Sequence, residues 1–490
     1  MSIQHMNVRI LTGAPGCGKT KRIREEAIKT PGLYLYAAPT IELVKQQMGD
    51  FRAEAPTLDV LEAHCRSRGR GAVSKRLAEA KADLEANGAV HAIILTTHEA
   101  LLNPDLPDFS GWHIYVDEAI SAVRSGTIKR SLSSDLLAAN FDLKRVGTSD
   151  WSELKPCRAS PGWRALAQDD AAKSILDFLK LAFSGSGVFV RATSWKTADP
   201  LDWFSVWSPR SLAGAASLTL AGAAFKSSIA FKVWEDSFAN RMSFNEEVIS
   251  PFRRGSPSVC VHYFTESHDG STTFWDTSVG RRCLHQIANY LTGNVPGLGF
   301  WSGNEAVWKY MEHRTPGTLI LPKVMGINSY RQHTSCAMIY SSKPLPGDKP
   351  IQEIFGVTDD DLLAAREKED IAQFVFRGAI RNCDFDGAYD IYVYSKRQAE
   401  QLRERLIRDC VVADVELVPI NEAGIMDVGR TSSTSAKAAP LSVEEKRAKE
   451  RMRKKRERAA KAKLTGRRPG RPPKLGNPDS QGRGAARFRD

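Results

Sequence analysis

Two α/β domains in tandem, each built on a parallel sheet and followed by a basic tail, are the architecture this sequence predicts. Three observations carry that expectation. Short apolar runs alternate with helical patterns through the N-terminal third, the same alternation returns after residue 258, and all of the excess positive charge lies in the last fifty residues. A hydrophobic period that switches repeatedly from 2 to 3.6 marks strand–helix units, which form a parallel sheet with helices on both faces. With 490 residues, 42% of them hydrophobic, the chain has the material for two or three separate cores.

The first domain is expected over residues 1–240. VRILTG reads as a strand, Lys19 to about Lys29 as a helix, LYLYAAPT as a second strand, and a second helix starts at Ile41. AIILTT and HIYVDEA complete the series of strands. Residues 121–212 are less regular, rich in Ser, Pro and Gly and carrying Trp151, Trp163, Trp195, Trp203 and Trp207, and read as an insertion. The second domain is expected over residues 241–428. Its strands are SVCVHYF, GTLILPKV, CAMIYSS and YDIYVYS, and its helices lie near Arg281–Thr292, from Asp359 to about Arg381, and over KRQAEQLRERLI. Residues 429–490 are a polar linker followed by the tail.

Composition excludes several classes of protein. The longest apolar runs, such as ASLTLAGAAF at Ala216–Phe225, fall well short of the roughly 18 residues of a membrane span. The N-terminus lacks a cationic start, an apolar stretch and a small-residue cleavage site, so a cytoplasmic location is expected. The eight cysteines form no C-x-x-C pair, which points to reduced thiols rather than to a zinc knuckle or a disulfide framework.

The charge is more informative once located. Of 69 basic and 57 acidic residues, residues 441–490 hold 18 and 6, which leaves 51 of each in a formally neutral body. A block of like charge with few aromatics cannot bury enough apolar surface to order itself, so the tail is expected to be disordered alone and to meet a polyanion. Within it, Ser442–Lys463 uses helix formers without an apolar stripe, and GRRPGRPPK at Gly466–Lys474 resembles an AT-hook. In such a hook, arginines beside Gly and Pro lie in the narrow minor groove of A·T-rich DNA. Arg468 and Arg471 are the matching positions, although Pro469 stands where the usual Arg-Gly-Arg-Pro core has arginine.

The clearest chemistry is GAPGCGKT, comprising Gly13, Ala14, Pro15, Gly16, Cys17, Gly18, Lys19 and Thr20. It fits G-x-x-x-x-G-K-[ST], follows an apolar strand and opens a helix, which is the setting of a phosphate-binding loop. Glycines let the backbone turn its N–H groups inward onto phosphate oxygens, and the helix N-terminus adds positive potential. Lys19 is expected to neutralise β/γ-phosphate charge, and the Thr20 hydroxyl to coordinate Mg²⁺. About a hundred residues on, the strand HIYVDEAI ends in Asp117 and Glu118. Carboxylates at that end of a parallel strand lie beside such a loop, where Asp117 can hold the Mg²⁺ shell and Glu118 can orient the attacking water.

The order of these motifs resembles that of the superfamily 2 helicases, the DEAD/DEAH-related nucleic-acid-dependent ATPases, over roughly residues 8–405. APTIELVKQQ is similar to the family's strand-to-helix turn that contacts a nucleic-acid backbone, with Thr40 at the matching position, and LTTHEALL is similar to a second such turn, with Thr96 and Thr97 as candidates. KVMGINSY resembles motif V, with Gly326 and Asn328 as the coupling residues. QFVFRGAIR resembles motif VI, so Gln373, Arg377 and Arg381 are implied to serve catalysis, the arginines reaching across to the γ-phosphate. Their spacing of four places all three on one face if the segment is helical.

Two departures from the family pattern stand out. Ile120 occupies the fourth place of the Asp-Glu box, where Asp or His is frequent, and SLTLAGA at Ser217–Ala223 has lost the paired hydroxyls of motif III. The resemblance implies two RecA-like domains that hydrolyse ATP with Mg²⁺ at their interface and act as a helicase or translocase on nucleic acid. DNA is favoured over RNA by the tail, and the family association suggests replication, recombination or repair in a phage or bacterial setting. The alternative is a DNA-binding or origin-recognition factor that uses nucleotide as a switch. A packaging motor would need a C-terminal nuclease with clustered acidic ligands, and residues 300–420 show no such set.

Overall fold

A computed structural model describes residues 5–420 except 68–71, 121, 130–133, 148, 170–171, 173, 185, 198–199, 239–241, 251–252, 267 and 323–328. Two expectations fall outside the described residues: the motif V positions Gly326 and Asn328, and the tail with Arg468 and Arg471.

The first lobe is a seven-stranded parallel sheet. Its strands are β1 (Met6–Thr12), β2 (Leu33–Ala38), β3 (Asp59–Glu62), β4 (Ala92–Thr97), β5 (His113–Asp117), β11 (Ser217–Ala221) and β12 (Met242–Val248), in the spatial order β12-β1-β11-β5-β2-β4-β3. The helices α1 (Lys19–Lys29), α2 (Ile41–Glu54) and α3 (Val73–Ala86) join the early strands. Alternate side chains of each strand feed opposite faces, as the two-residue repeat requires. Val8, Ile10, Leu35, Ile94, Ile114, Val116, Leu218 and Leu220 build one core, and Leu11, Tyr34, Tyr36, Ile93, Leu95 and Tyr115 build the other. Burying each large apolar side chain contributes about 1.5–3 kcal/mol, so the two-sided burial is what holds the parallel strands together.

Between β5 and β11 the chain leaves the sheet and forms an antiparallel one of its own. Its strands are β6 (Val123–Ile128), β7 (Phe141–Arg145), β8 (Trp151–Pro156), β9 (Val188–Arg191) and β10 (Leu201–Val206), ordered β6-β10-β9-β8-β7. The expected insertion at 121–212 therefore has a sheet of its own, with Phe178, Leu179, Val188, Val190 and Trp195 in its core.

The second lobe is a six-stranded parallel sheet, β15-β14-β16-β17-β13-β18. It comprises β13 (Ser258–Thr265), β14 (Phe300–Gly303), β15 (Thr318–Leu319), β16 (Ser335–Ile339), β17 (Ala388–Ser395) and β18 (Glu416–Pro419). The two parallel sheets are the two RecA-like lobes that the motif order leads one to expect.

Three boundaries differ from expectation. The first lobe does not end at residue 240, because β12 pairs in parallel with β1 along its length, from Met6↔Met242 to Thr12↔Val248. GTLILPKV yields only the two-residue strand β15. The expected helix from Asp359 to about Arg381 stops earlier: it runs as Asp359–Leu363, a π-helical turn at Ala364–Lys368, and Glu369–Val375. Gly378 follows that end and lies where a Cβ would come within 2.1 Å of the Tyr389 hydroxyl. Gln373, Arg377 and Arg381 consequently do not share a helical face. Gln373 lies in the last turn of the helix, Arg377 in the turn after it, and Arg381 ends a short 3₁₀ segment, Ala379–Arg381.

Candidate active site

The C-terminal ends of the first lobe's strands form the floor of the site. β11 lies between β1 and β5, and its last residue, Ala221, is level with Leu11 on one side and Asp117 on the other. The phosphate-loop sequence leaves β1 there, and α1 begins behind it with Gly18 as its N-cap at φ 96°. Gly16 also has positive φ, at 86°, a conformation that L side chains reach only with strain. Lys19 is buried, and its ammonium folds over the loop to donate to the carbonyls of Gly13 (2.9 Å) and Ala14 (3.0 Å). α1 is held on the sheet by Arg9 of β1, which donates to Glu26 of α1 at 2.7 Å and to Glu247 of β12 at 2.5 Å.

Thr20 and Asp117 meet as the spacing of their motifs predicts. The Thr20 hydroxyl donates to the Asp117 carboxylate at 2.9 Å, and the Tyr36 hydroxyl donates to the same carboxylate at 2.8 Å. Asp117 is buried, and burial pushes its carboxyl above the usual aspartate range against the pull of Tyr36, Thr20 and Lys19. A hydroxyl and a carboxylate at hydrogen-bond distance are the hard oxygen donors that Mg²⁺ takes. Among the described residues no group of three or more His, Cys, Asp or Glu side chains is placed to hold a metal by itself. Thr20 and Asp117 thus fit an ion that takes its remaining ligands from phosphate and water.

Glu118 follows in the left-handed region at φ 68°, one of two described non-glycine residues with positive φ. A bulky residue held there marks a position fixed by its surroundings, and such positions concentrate at functional sites. Burial first, and then the neighbouring Asp117 charge, raise the Glu118 carboxyl to about 7. Lys19 and Arg381 act in the opposite sense, and Glu369 adds to the rise.

The second lobe closes this site. A Cβ built on Gly16 would lie 2.9 Å from Cγ of Arg381, so the arginine stem packs directly on the phosphate-loop turn. Ala14 is buried in a cluster that includes Phe376, Ala379 and Ile380 of the second lobe. Burial lowers the Arg381 guanidinium and Arg331 adds to that, while Glu118 draws it back up. Arg377 is placed differently. It is buried, its guanidinium sits 5.9 Å from the Phe374 ring, and Tyr330 and Asp370 are its favourable electrostatic neighbours. Burial lowers it to about 10, still above neutral pH. Gln373 donates to Glu369 at 2.8 Å instead of facing the loop.

The expected strand-contacting residues divide. Thr40 is the N-cap of α2 and accepts from the Leu43 N–H at 3.2 Å. Thr96 is fully buried and donates to the Ala63 carbonyl at 2.7 Å, so it is a sheet-to-loop tie and not a ligand contact. Thr97, at the N-cap of the short helix that follows, is partly exposed and makes no side-chain cap bond. Ile120 is buried in the first-lobe core, which accounts for an apolar residue where the family pattern carries a polar one.

Four residues of the site are not among those the motifs single out. Tyr36 and His98 brace the Asp-Glu strand, His98 through a 2.8 Å contact of Nε2 with the Asp117 carbonyl, and Glu369 and Arg405 approach from the second lobe. His98 follows Thr97 directly, so the T-T-H sequence was a local signal. Arg405 reads as one charge of an amphipathic helix and has none.

No known protein family matches the sequence, and no characterised protein does. Solved structures that match along most of the chain include superfamily 2 helicases. Xpd4 of S. tokodaii is 12% identical with a TM-score of 0.46 over 84% of this chain and 95% of its own. Dbp5 of S. cerevisiae, bound to RNA and ADP BeF3, is 10% identical with a TM-score of 0.31 over 86% of each chain. RecG bound to a three-way DNA junction is 12% identical with a TM-score of 0.35 over 82% of this chain and 42% of its own. The likeness is one of fold, and no residue role comes from it.

Proposed function

We propose that this protein is a nucleic-acid-dependent ATPase that works as a helicase or translocase. The observation that carries the reading is the contact between Arg381 of the second lobe and Gly16 of the phosphate loop, with Glu118 in electrostatic reach of the same guanidinium. A loop that only stored nucleotide would need neither a cation supplied from the opposite lobe nor a strained carboxylate beside it.

In this reading Lys19 exchanges its loop carbonyls for the β- and γ-phosphates, a substitution that costs little because the ammonium is already desolvated and aimed at the loop. Thr20 and Asp117 would hold Mg²⁺, which would supply neutralisation of phosphate oxygens. Glu118, tuned upward, holds the attacking water and accepts its proton. Arg381 offers fixed positive charge to the transferring phosphoryl group. Nucleic acid crosses both lobes, with Thr40 and Thr97 at the first lobe's turns, and the basic tail adds phosphate contacts that raise the local concentration of DNA. The excess of 18 basic over 6 acidic residues in residues 441–490 supports a polyanion as partner, with DNA favoured over RNA. No helix among the described residues is long and apolar enough to cross a membrane; the cytoplasm is the compartment proposed.

The test is ATP turnover measured with and without single-stranded DNA or RNA, with Lys19→Ala as the inactive control. Stimulation by a strand is expected. Turnover that no strand stimulates would leave the nucleotide-switched DNA-binding factor as the better reading.

A further inference from the structure

The guanidinium of Arg405 spans the two lobes from a helix that carries no motif. It sits on the helix Lys396–Arg408 of the second lobe, is 12% exposed, and donates through Nη2 to the Ala223 carbonyl of the first lobe at 3.1 Å. Its other nitrogens stay in its own lobe: Nη1 meets Glu369 at 3.3 Å and Nε meets Asp409 at 2.5 Å. Glu369 in turn receives Gln373 at 2.8 Å and lies within electrostatic reach of Glu118.

Ala223 is well placed to report on the nucleotide. It follows β11, two residues after the strand's last residue, Ala221. The N–H of the preceding Gly222 donates to the Leu11 carbonyl at 3.0 Å, two residues before the phosphate loop opens. A Cβ on Gly222 would stand 3.4 Å from the Ala119 N, so the same turn packs on the Asp-Glu box. Beside Arg405 the lobes are not tightly packed: a cavity of about 120 Å³ lies between Ser227 and side chains that include Lys368, Gln398, Gln401 and Arg405 itself. Apolar interdigitation therefore does not fix the register of the lobes here, and a charge-assisted hydrogen bond, which is directional, does.

We propose that Arg405 is a positioning residue for hydrolysis, which latches the second lobe to the end of β11 and, through Glu369, sets that lobe's side of the site against Glu118. The proposal deepens the ATPase reading and rests on it for the reaction concerned. Because Ala223 offers a backbone carbonyl, the device depends on the arginine alone and not on the side chain it meets.

The experiment uses the full chain and the variants Arg405→Ala and Arg405→Lys. ATP turnover is measured with a saturating strand, and lobe closure is followed by small-angle X-ray scattering on adding a non-hydrolysable ATP analogue with the strand. Arg405→Ala is expected to lower kcat by roughly 10- to 100-fold, the loss of one charge-assisted hydrogen bond at the transition state, while KM for ATP moves by less than about threefold. It is also expected to lose the compaction seen in the unaltered protein. Arg405→Lys keeps charge and stem without the fork, and an intermediate kcat supports the latch while guarding against a fold too damaged to interpret. Compaction without turnover in the unaltered protein, lost in Arg405→Ala, would keep the latch and sink the hydrolytic reading. Arg405→Ala that turns over and compacts like the unaltered protein, or a rise in KM equal to the fall in kcat, overturns the latch. An unaltered protein that neither compacts nor turns over overturns both.

Discussion

Replacing Glu118 with glutamine should stabilise the protein in the absence of nucleotide, and by an amount that depends on pH. The carboxyl stands at about 7 in the fold against 4.5 when unperturbed. A raised carboxyl means that the folded state holds its proton more tightly than the unfolded chain does. Stability from this group is therefore fully present below pH 4.5, is lost progressively as pH rises through the folded value, and stays lost above it. A shift from 4.5 to about 7 corresponds to a ceiling of about 3 kcal/mol at 1.36 kcal/mol per unit, and the partial exposure of Glu118 reduces it to about 1–3 kcal/mol. Glutamine keeps the shape and the left-handed backbone while removing the charge. Urea unfolding with a chelator present, at pH 4.5 and pH 8.5, measures the difference. The variant should match the parent at the lower pH and exceed it by about 1–3 kcal/mol at the higher one. His98, lowered to about 4 by burial, makes both proteins less stable in acid and cancels in the comparison. An equal gain at both pH values would refute the assignment of Glu118 as a carboxylate held against its charge.

Three further outcomes are expected. Arg381→Ala should lower strand-stimulated turnover by about a hundredfold or more while ATP affinity, measured by equilibrium binding, changes far less; equal losses in both would remove the arginine from the transition state. Thr96→Val should cost about 1 kcal/mol in urea unfolding, the worth of a buried hydroxyl's hydrogen bond, and leave strand affinity unchanged. Deletion of residues 441–490 should weaken DNA binding and flatten its dependence on salt, read by titration at several ionic strengths, with turnover in the absence of DNA unaltered.

How much of this was legible in the sequence follows from how local each signal is. The phosphate loop and the Asp-Glu strand are continuous segments whose chemistry is written in adjacent residues, so Lys19, Thr20 and Asp117 meet where their spacing puts them. The periodicity of buried parallel strands is equally local, and it separates the two lobes from an irregular insertion. Motif VI shows the limit. A spacing of four between Gln373, Arg377 and Arg381 describes one face only if the helix continues, and it stops at Val375; beyond it the Tyr389 ring occupies the space a side chain at Gly378 would need, a tertiary contact no spacing records. Thr96 illustrates the opposite error, for a threonine at a strand end looks the same in sequence whether its hydroxyl faces a groove or a carbonyl thirty-three residues away. A boundary at residue 240 cuts β12 off from its lobe, because chain order does not reveal that the strand crosses back to pair with β1. The partners of Ala223 and Glu118 from the second lobe depend on how two sheets face one another, about which periodicity within either is silent.

The inserted antiparallel sheet also touches more than its own lobe. Trp151 and Arg191 both donate to Glu353 of the second lobe, at 2.7 and 3.0 Å, and the ring of Phe355 stands 5.8 Å from Phe189 and 6.4 Å from Phe204. Ile351, Val357 and Leu362 complete the contact inside the first lobe's core cluster. Separating the two sheets at the phosphate loop would therefore leave the lobes tethered through Glu353 and Phe355 unless this aromatic seam came apart as well.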